Sequence, residues 1–153
     1  MNDLYLYHAT SKENLKSILK NGLLINPPNH NWYKMYLDNQ IFLAFNITVA
    51  KNYIESSDYC PKDIVILKIK LNELDENSFN YDWNNRCEYS NEINSVSYSK
   101  NIPAKNIIIV DDMSNEPYQD FNSFRKTNLY TILMDVFDYE VETNKEKFTN
   151  LKN

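Results

Sequence analysis

Glycine is almost absent from this chain: Gly22 is the only one in 153 residues. Loops that wrap a pyrophosphate closely with main-chain amides need several residues free of a Cβ, so glycine-rich dinucleotide-binding and nucleotide-triphosphatase architectures are excluded. Cysteine is nearly as scarce. Cys60 and Cys87 have neither the CxxC spacing of a zinc or redox site nor the density of a secreted disulfide scaffold, so they read as reduced thiols and no metal site is expected. Arginine occurs only at Arg86 and Arg125, which leaves few candidates for a bidentate pyrophosphate grip beyond lysines. No stretch approaches the roughly 20 apolar residues of a membrane span, and no charged start leads into an apolar run. Lys and Arg total 16 against 21 Asp and Glu, for a net charge of −5, and the basic residues are scattered. Phosphate neutralisation supplies most nucleic-acid affinity and calls for a basic patch, so nucleic acid is a less favoured partner. The expectation is a soluble, cytoplasmic protein with no membrane partner.

What the chain does have is apolar and ring area. Hydrophobic residues make up 42% and aromatics 14%, with twelve Tyr, enough to fill a core and still line a cleft. A chain of this length typically buries roughly two-thirds of its unfolded surface. With no internal repeat and no low-complexity linker, residues 1–153 read as one domain.

Hydrophobic periodicity outlines the elements. Residues 4–8, LYLYH, form an unbroken apolar and aromatic strand. Thr10 with Glu13 gives a capping-box signal, and Leu15, Ile18 and Leu19 recur at helical spacing until Gly22 supplies a left-handed stop. Asn26 to Gln40, with Pro27, Pro28, His30, Trp32, Tyr33 and Tyr36, reads as a long loop of the kind that folds over ligands or over its own domain. Residues 41–45, IFLAF, are a short strand, and Thr48 is a candidate cap for a helix with Ala50, Tyr53 and Ile54 on one face. IVILKIKL at 64–71 is the clearest strand; a polar loop with Phe79, Tyr81 and Trp83 follows. Glu92–Ser99 and Ile107–Val110 read as further strands around Pro103. Phe124–Val141 reads as a closing helix with Leu129, Ile132, Leu133, Val136 and Phe137 on one stripe.

The segment YHATSKENLKSILKNGLL, followed by IFLAFNITVAKNY, resembles the nicotinamide-binding core of ADP-ribosyltransferases of the diphtheria-toxin and poly(ADP-ribose) polymerase type, which carry a His-Tyr-Glu triad. Tyr7, His8, Ala9 and Thr10 lie over the family's Tyr-His-Gly-Ser/Thr motif, with alanine for glycine. Ile41, Phe42, Leu43, Ala44 and Tyr53 lie over its Ile-Tyr-Phe-Ala strand and the tyrosine of the following helix, with Phe42 in place of the triad tyrosine. The spacing of 34 residues from His8 to Phe42 and of 11 from Phe42 to Tyr53 also follows the polymerase-type pattern. The match covers the first third of the chain; the rest agrees in strand order and in a late glutamate. The implied fold is α+β, an ADP-ribosyltransferase-like split β-sheet core with flanking helices.

The resemblance implies a chemistry as well. Breaking the bond between nicotinamide and ribose develops positive charge on the sugar, so a site must hold the leaving group, anchor the ribose and supply a carboxylate. NAD is the implied substrate. His8 would bond a ribose hydroxyl, the main chain of Ala9 beside Thr10 would fix the carboxamide, and Phe42 and Tyr53 would sandwich the ring. Glu92 is the favoured carboxylate, with Glu88 as its rival. Each of these residues has a plainer reading when taken alone: a hydrogen-bonded strand-end histidine, two core aromatics, a solvated glutamate. Together they imply a mono-ADP-ribosyltransferase acting on a macromolecular acceptor, a protein, in a toxin, phage or defence setting. A non-catalytic NAD or ADP-ribose binding module on the same fold and an NAD glycohydrolase are the alternatives. The RNA 2′-phosphotransferase type ranks last, because it calls for more basic residues.

Overall fold

The computed structural model describes residues 3–25, 40–55, 61–81 and 95–135. Its elements in chain order are β1 (Tyr5–Ser11), α1 (Lys12–Asn21), β2 (Ile41–Ala44), α2 (Ile47–Glu55), β3 (Ile64–Lys70), β4 (Phe79–Tyr81), β5 (Ser95–Tyr98), β6 (Ile108–Ile109) and α3 (Phe121–Arg125), with residues 128–135 helical. The strands form one antiparallel sheet in the order β4-β5-β2-β1-β3-β6. The architecture is mixed α+β.

Side chains alternate across a strand, so each strand feeds both faces of the sheet. Leu6, Leu43, Leu67, Ile69, Val96 and Tyr98 join the larger core cluster, into which α1 sends Ile18 and the partly buried Leu15. Tyr7, Ala44 and Ile66 join a smaller cluster with Ala50 of α2, flanked by Ile47, Val49 and Ala9. The two helices therefore cover opposite faces, and neither face of the central strands is left to water.

β1 is longer than its apolar run. All seven residues pair with β3, from Tyr5 opposite Lys70 to Ser11 opposite Ile64, and this ladder carries Thr10 into the sheet. Thr10 consequently sits buried opposite Val65 and does not cap the helix; Ser11 holds the N-cap position, without a side-chain cap bond. Tertiary strand pairing has overridden a local capping signal. α1 ends as expected. Gly22 has φ +82 and its N–H bonds Ile18 O at 2.7 Å, and a Cβ there would meet the Ile102 carbonyl oxygen at 2.1 Å. That close approach lets Leu23 and Ile102 exchange main-chain bonds at 2.9 and 2.8 Å.

Other boundaries shift for similar reasons. α2 begins at Ile47, so Thr48 falls inside its first turn and not at its cap. Residues 79–81 pair with β5, opposite Tyr98, Ser97 and Val96, where the polar surroundings suggested a loop. β5 runs Ser95–Tyr98, and the stretch expected to precede it from Glu92 lies outside the described residues. The closing helix is broken after α3. The Thr127 hydroxyl bonds Phe124 O at 2.7 Å and accepts the Tyr130 N–H at 3.2 Å, so it ends one helix and caps the next. Leu129 and Leu133 of the second piece reach the core as expected, while Val136 and Phe137 lie outside the described residues, as does nearly all of the long loop at 26–40.

Candidate functional site at the β1–β2 seam

The ladder between β1 and β2 is short. Tyr7 opposite Ala44 is the one residue pair in register between them, whereas β1 pairs with β3 along its whole length. In an antiparallel strand the N–H and C=O of one residue point to the same side, and successive residues alternate. Main-chain bonds at Leu4 and Lys12 go toward the β3 side, from Leu71 N to Leu4 O at 2.8 Å and from Lys12 N to Asp63 O at 3.0 Å. Tyr5, Tyr7, Ala9 and Ser11 therefore present their main-chain groups toward β2. A regular ladder would follow the Tyr7–Ala44 rung with Ala9–Phe42 on one side and Tyr5–Asn46 on the other. Neither forms.

At the Ala9–Phe42 rung, His8 intervenes. Its Nδ1 donates to the Phe42 carbonyl at 2.8 Å, the acceptor that Ala9 N–H would use in a regular ladder. A carbonyl cannot donate, so Nδ1 carries the proton and Nε2 is the acceptor of the neutral ring. Burial of the imidazole lowers its pKa from 6.5, opposed in part by the bond to Phe42; the neutral form is the one present at pH 7. The N–H and C=O of Ala9 are left facing the opened seam without a rung on β2.

At the Tyr5–Asn46 rung, a side chain fills the gap. Tyr5 N–H donates to Gln119 Oε1 at 2.6 Å, and Gln119 Nε2 donates to Tyr5 O at 2.7 Å and to Phe45 O at 2.6 Å. Gln119 N–H in turn bonds Asn46 Oδ1 at 3.0 Å. One primary carboxamide thus reads the donor and acceptor of a single strand residue and ties it to the end of β2. A small depression lined by Leu4, Tyr5, Phe45, Leu71, Gln119 and Phe124 lies at this end of the seam and touches none of the family-motif positions His8, Ala9, Thr10, Phe42 or Tyr53.

Phe42 lies on the face covered by α2, and its ring stacks on that of Tyr53 at 5.6 Å between centroids and 22° between planes. A third ring inserted between them needs about two van der Waals layers, or ~7 Å, so the pair as it stands is closed and a sandwich requires Tyr53 to move. Across the sheet, Ser97 opposite Phe42 and Ser95 opposite Ala44 are buried, keeping the surface beside Phe42 small and polar. The sequence singled out neither serine. The structure thus brings His8, Ala9, Phe42 and Tyr53 to one seam and turns Thr10 into a buried ladder position beside it. Glu92 and Glu88 lie outside the described residues.

A second group of residues was only partly announced by the sequence. The Tyr7 hydroxyl donates to Glu116 Oε1 at 2.8 Å, and Lys68 Nζ reaches the same oxygen at 2.9 Å while lying 4.7 Å from the centroid of the Tyr5 ring. Burial first, and then the Glu116 carboxylate, hold the Tyr7 hydroxyl well above the ordinary phenol range. Tyr7 was visible as a motif member, but no local pattern announced a partner 109 residues away. Among the described residues there is no cluster of His, Cys, Asp and Glu able to hold a metal, and no helix long and apolar enough to cross a membrane.

No protein-family model matches the chain. No curated protein matches it significantly either. Among solved structures it is similar to EcPltA, at 15% identity and a TM-score of 0.46 over 70% of this chain and 74% of that one. An overlap of that size does not define a fold, and function is read from the chain's own geometry.

Proposed function

We propose that the seam is an NAD site and that the protein is a mono-ADP-ribosyltransferase with a macromolecular acceptor, a protein, in a toxin, phage or defence setting. The observation that carries this reading is the open Ala9 rung. A nicotinamide carboxamide offers an N–H donor and a C=O acceptor, the complement of the Ala9 C=O and N–H. The chain itself supplies the example two rungs away, where the Gln119 carboxamide occupies the main chain of Tyr5. The neutral His8 ring, with Nδ1 committed to Phe42, offers Nε2 to a donor, and a ribose hydroxyl is such a donor. Phe42 and Tyr53 provide the aromatic surface for the nicotinamide ring, and Thr10 backs Ala9 within the ladder.

In the reaction, the bond between ribose C1′ and the nicotinamide nitrogen breaks, and its electron pair neutralises the pyridinium as nicotinamide leaves. An acceptor nucleophile then forms a bond to C1′ and releases its proton. Glu92, three residues ahead of the first residue of β5, is assigned the carboxylate that stabilises the oxocarbenium, and Glu88 is its rival. Incubation with NAD labelled in the adenylate half and a cell lysate tests this. Nicotinamide release with a labelled protein, abolished in Glu92→Gln, is the expected result. Nicotinamide release with no labelled macromolecule would replace the transferase with an NAD glycohydrolase.

The closed Phe42–Tyr53 stack and the missing hydroxyl at Phe42 favour a second reading, a module that binds NAD or ADP-ribose without turnover. Calorimetric binding of NAD, unaffected by Glu92→Gln and accompanied by no nicotinamide release, selects it.

A further inference from the structure

Two rungs are missing from the β1–β2 ladder, and they flank the single pair that forms. One is bridged by a side chain from β1 itself, His8. The other is bridged by Gln119, from a segment more than a hundred residues further along the chain. The two bridges are mechanically linked, because they lie on either side of the one Tyr7–Ala44 rung and close packing transmits small displacements along a strand. Without Gln119, the Tyr5 N–H, Tyr5 O and Phe45 O would each lose a partner, and the strands would be joined on that side by nothing but packing.

We propose that Gln119 is a positioning residue of the nicotinamide site: its carboxamide substitutes for the absent Tyr5 rung and sets the separation of β1 and β2 at which His8 reaches Phe42 and the Ala9 rung stays open. Three features of the structure support this role. First, the contact is specific in its chemistry, since all four polar bonds of the residue, three from the carboxamide and one from its main chain, go to β1 or to the Phe45–Asn46 end of β2. Second, the two bonds donated by Nε2 go to Tyr5 O of β1 and to Phe45 O just past the end of β2, so one nitrogen spans the seam. Third, the segment that carries it is pinned a few residues earlier, where Glu116 holds Tyr7 and Lys68, so the carboxamide is delivered from a fixed point. Gln119 does not touch the Ala9 rung and acts on it through strand spacing.

The enzymatic arm of the test rests on the NAD reading above, and the spectroscopic arm does not. The two variants are Gln119→Ala, which empties the rung, and Gln119→Glu, which keeps the shape but cannot donate to the two carbonyls once ionised. Asp75→Asn, at the far edge of the sheet, serves as a destabilised control. His8 and His30 are the only two histidines, so the imidazole nitrogen resonances of His8 are assigned with His30→Gln. In both Gln119 variants the His8 Nδ1 resonance is expected to move toward that of a solvated ring and its titration midpoint to rise, with the control unchanged. In the same variants kcat/KM for nicotinamide release is expected to fall by roughly tenfold to a hundredfold, as for a misplacement of about 1 Å. If Gln119→Ala does not fold, Gln119→Glu carries the measurement. Unaltered His8 resonances in a folded variant, or equal changes in Asp75→Asn, would overturn the proposal. Shifted His8 resonances in the Gln119 variants, together with a wild type that releases no nicotinamide, would sustain the role of Gln119 in the seam and sink the transferase reading alone.

Discussion

His8 donates from Nδ1 to the carbonyl of Phe42 at 2.8 Å across 34 residues of sequence, taking the place of a main-chain rung between two neighbouring strands. The same bond fixes the ring's tautomer, and with it the identity of the nitrogen presented to a ligand. Asparagine places an amide N–H near the position of Nδ1 but has nothing at Nε2. His8→Asn is therefore expected to stay within about 1 kcal/mol of wild-type stability, while His8→Ala, which leaves the Phe42 carbonyl without its donor, loses about 1–3 kcal/mol. Both are expected to lose NAD binding. Denaturant titration and calorimetry check the two halves separately.

Burial also makes His8 a source of acid sensitivity. Its folded pKa lies below the unfolded 6.5, so the unfolded chain binds more protons as pH falls and stability rises with pH in that range. The contribution is complete above about pH 6.5 and is lost as pH falls toward and through the lowered folded value. Denaturation midpoints measured from pH 8 to pH 5 are expected to fall less steeply in His8→Asn than in wild type. Parallel curves would show that the ring is not titrating from a buried site.

At the other edge of the sheet, Asp75 accepts from Lys100 at 2.5 Å, from Ser78 at 2.9 Å and from Asn77 N–H at 3.1 Å, and its own N–H bonds the Tyr98 hydroxyl at 2.9 Å. These bonds, led by that from Lys100, lower its carboxyl pKa from 3.8 to about 2. The sign is that of a carboxylate favoured by folding: the stabilisation is present above about pH 4 and lost as pH falls through 2. Asp75→Asn is expected to be less stable than wild type at pH 7, and the difference is expected to shrink between pH 4 and pH 2. Guanidinium titrations at both ends of that range measure it.

Gly22 joins α1 to the Leu23–Ile102 contact at φ +82, with the Ile102 oxygen 2.1 Å from where a Cβ would lie. Backbone atoms cannot swing aside as a flexible side chain would. Gly22→Ala is expected to cost at least about 2 kcal/mol, combining an unfavourable dihedral with loss of the Leu23–Ile102 bonds. Thermal melting gives the loss, and amide exchange at Leu23 and Ile102 is expected to report it locally.

Tyr7 is 2% exposed and donates to a carboxylate already held by Lys68. Tyr7→Phe removes one donor but leaves Glu116 paired, so a loss of about 1–2 kcal/mol is expected. Because the three groups share one oxygen, Tyr7→Phe and Glu116→Gln are expected to be non-additive in a double-mutant cycle. Additive losses would mean that the network does not act as a unit.

The sequence alone determined what depends on neighbours along the chain. Apolar runs marked β1, β2 and β3, helical spacing marked α1 and α2, and Gly22 marked the stop that a left-handed residue provides, so the mixed α+β character was legible throughout the first half. The motif positions also placed His8, Phe42 and Tyr53 on elements that do come together. Where a local signal competed with strand pairing, as at Thr10, pairing prevailed, because a seven-residue ladder outweighs one cap.

Only the tertiary structure decided which rungs of the sheet exist. Whether Ala9 meets Phe42, whether a glutamine from near the end of the described chain replaces the Tyr5 rung, and whether Tyr7 finds Glu116 all depend on strand register and on contacts across 34 to 114 residues. Periodicity reports which face of a strand a side chain takes. It carries no information about which strand lies alongside, or where two strands part, and the candidate site lies at such a parting.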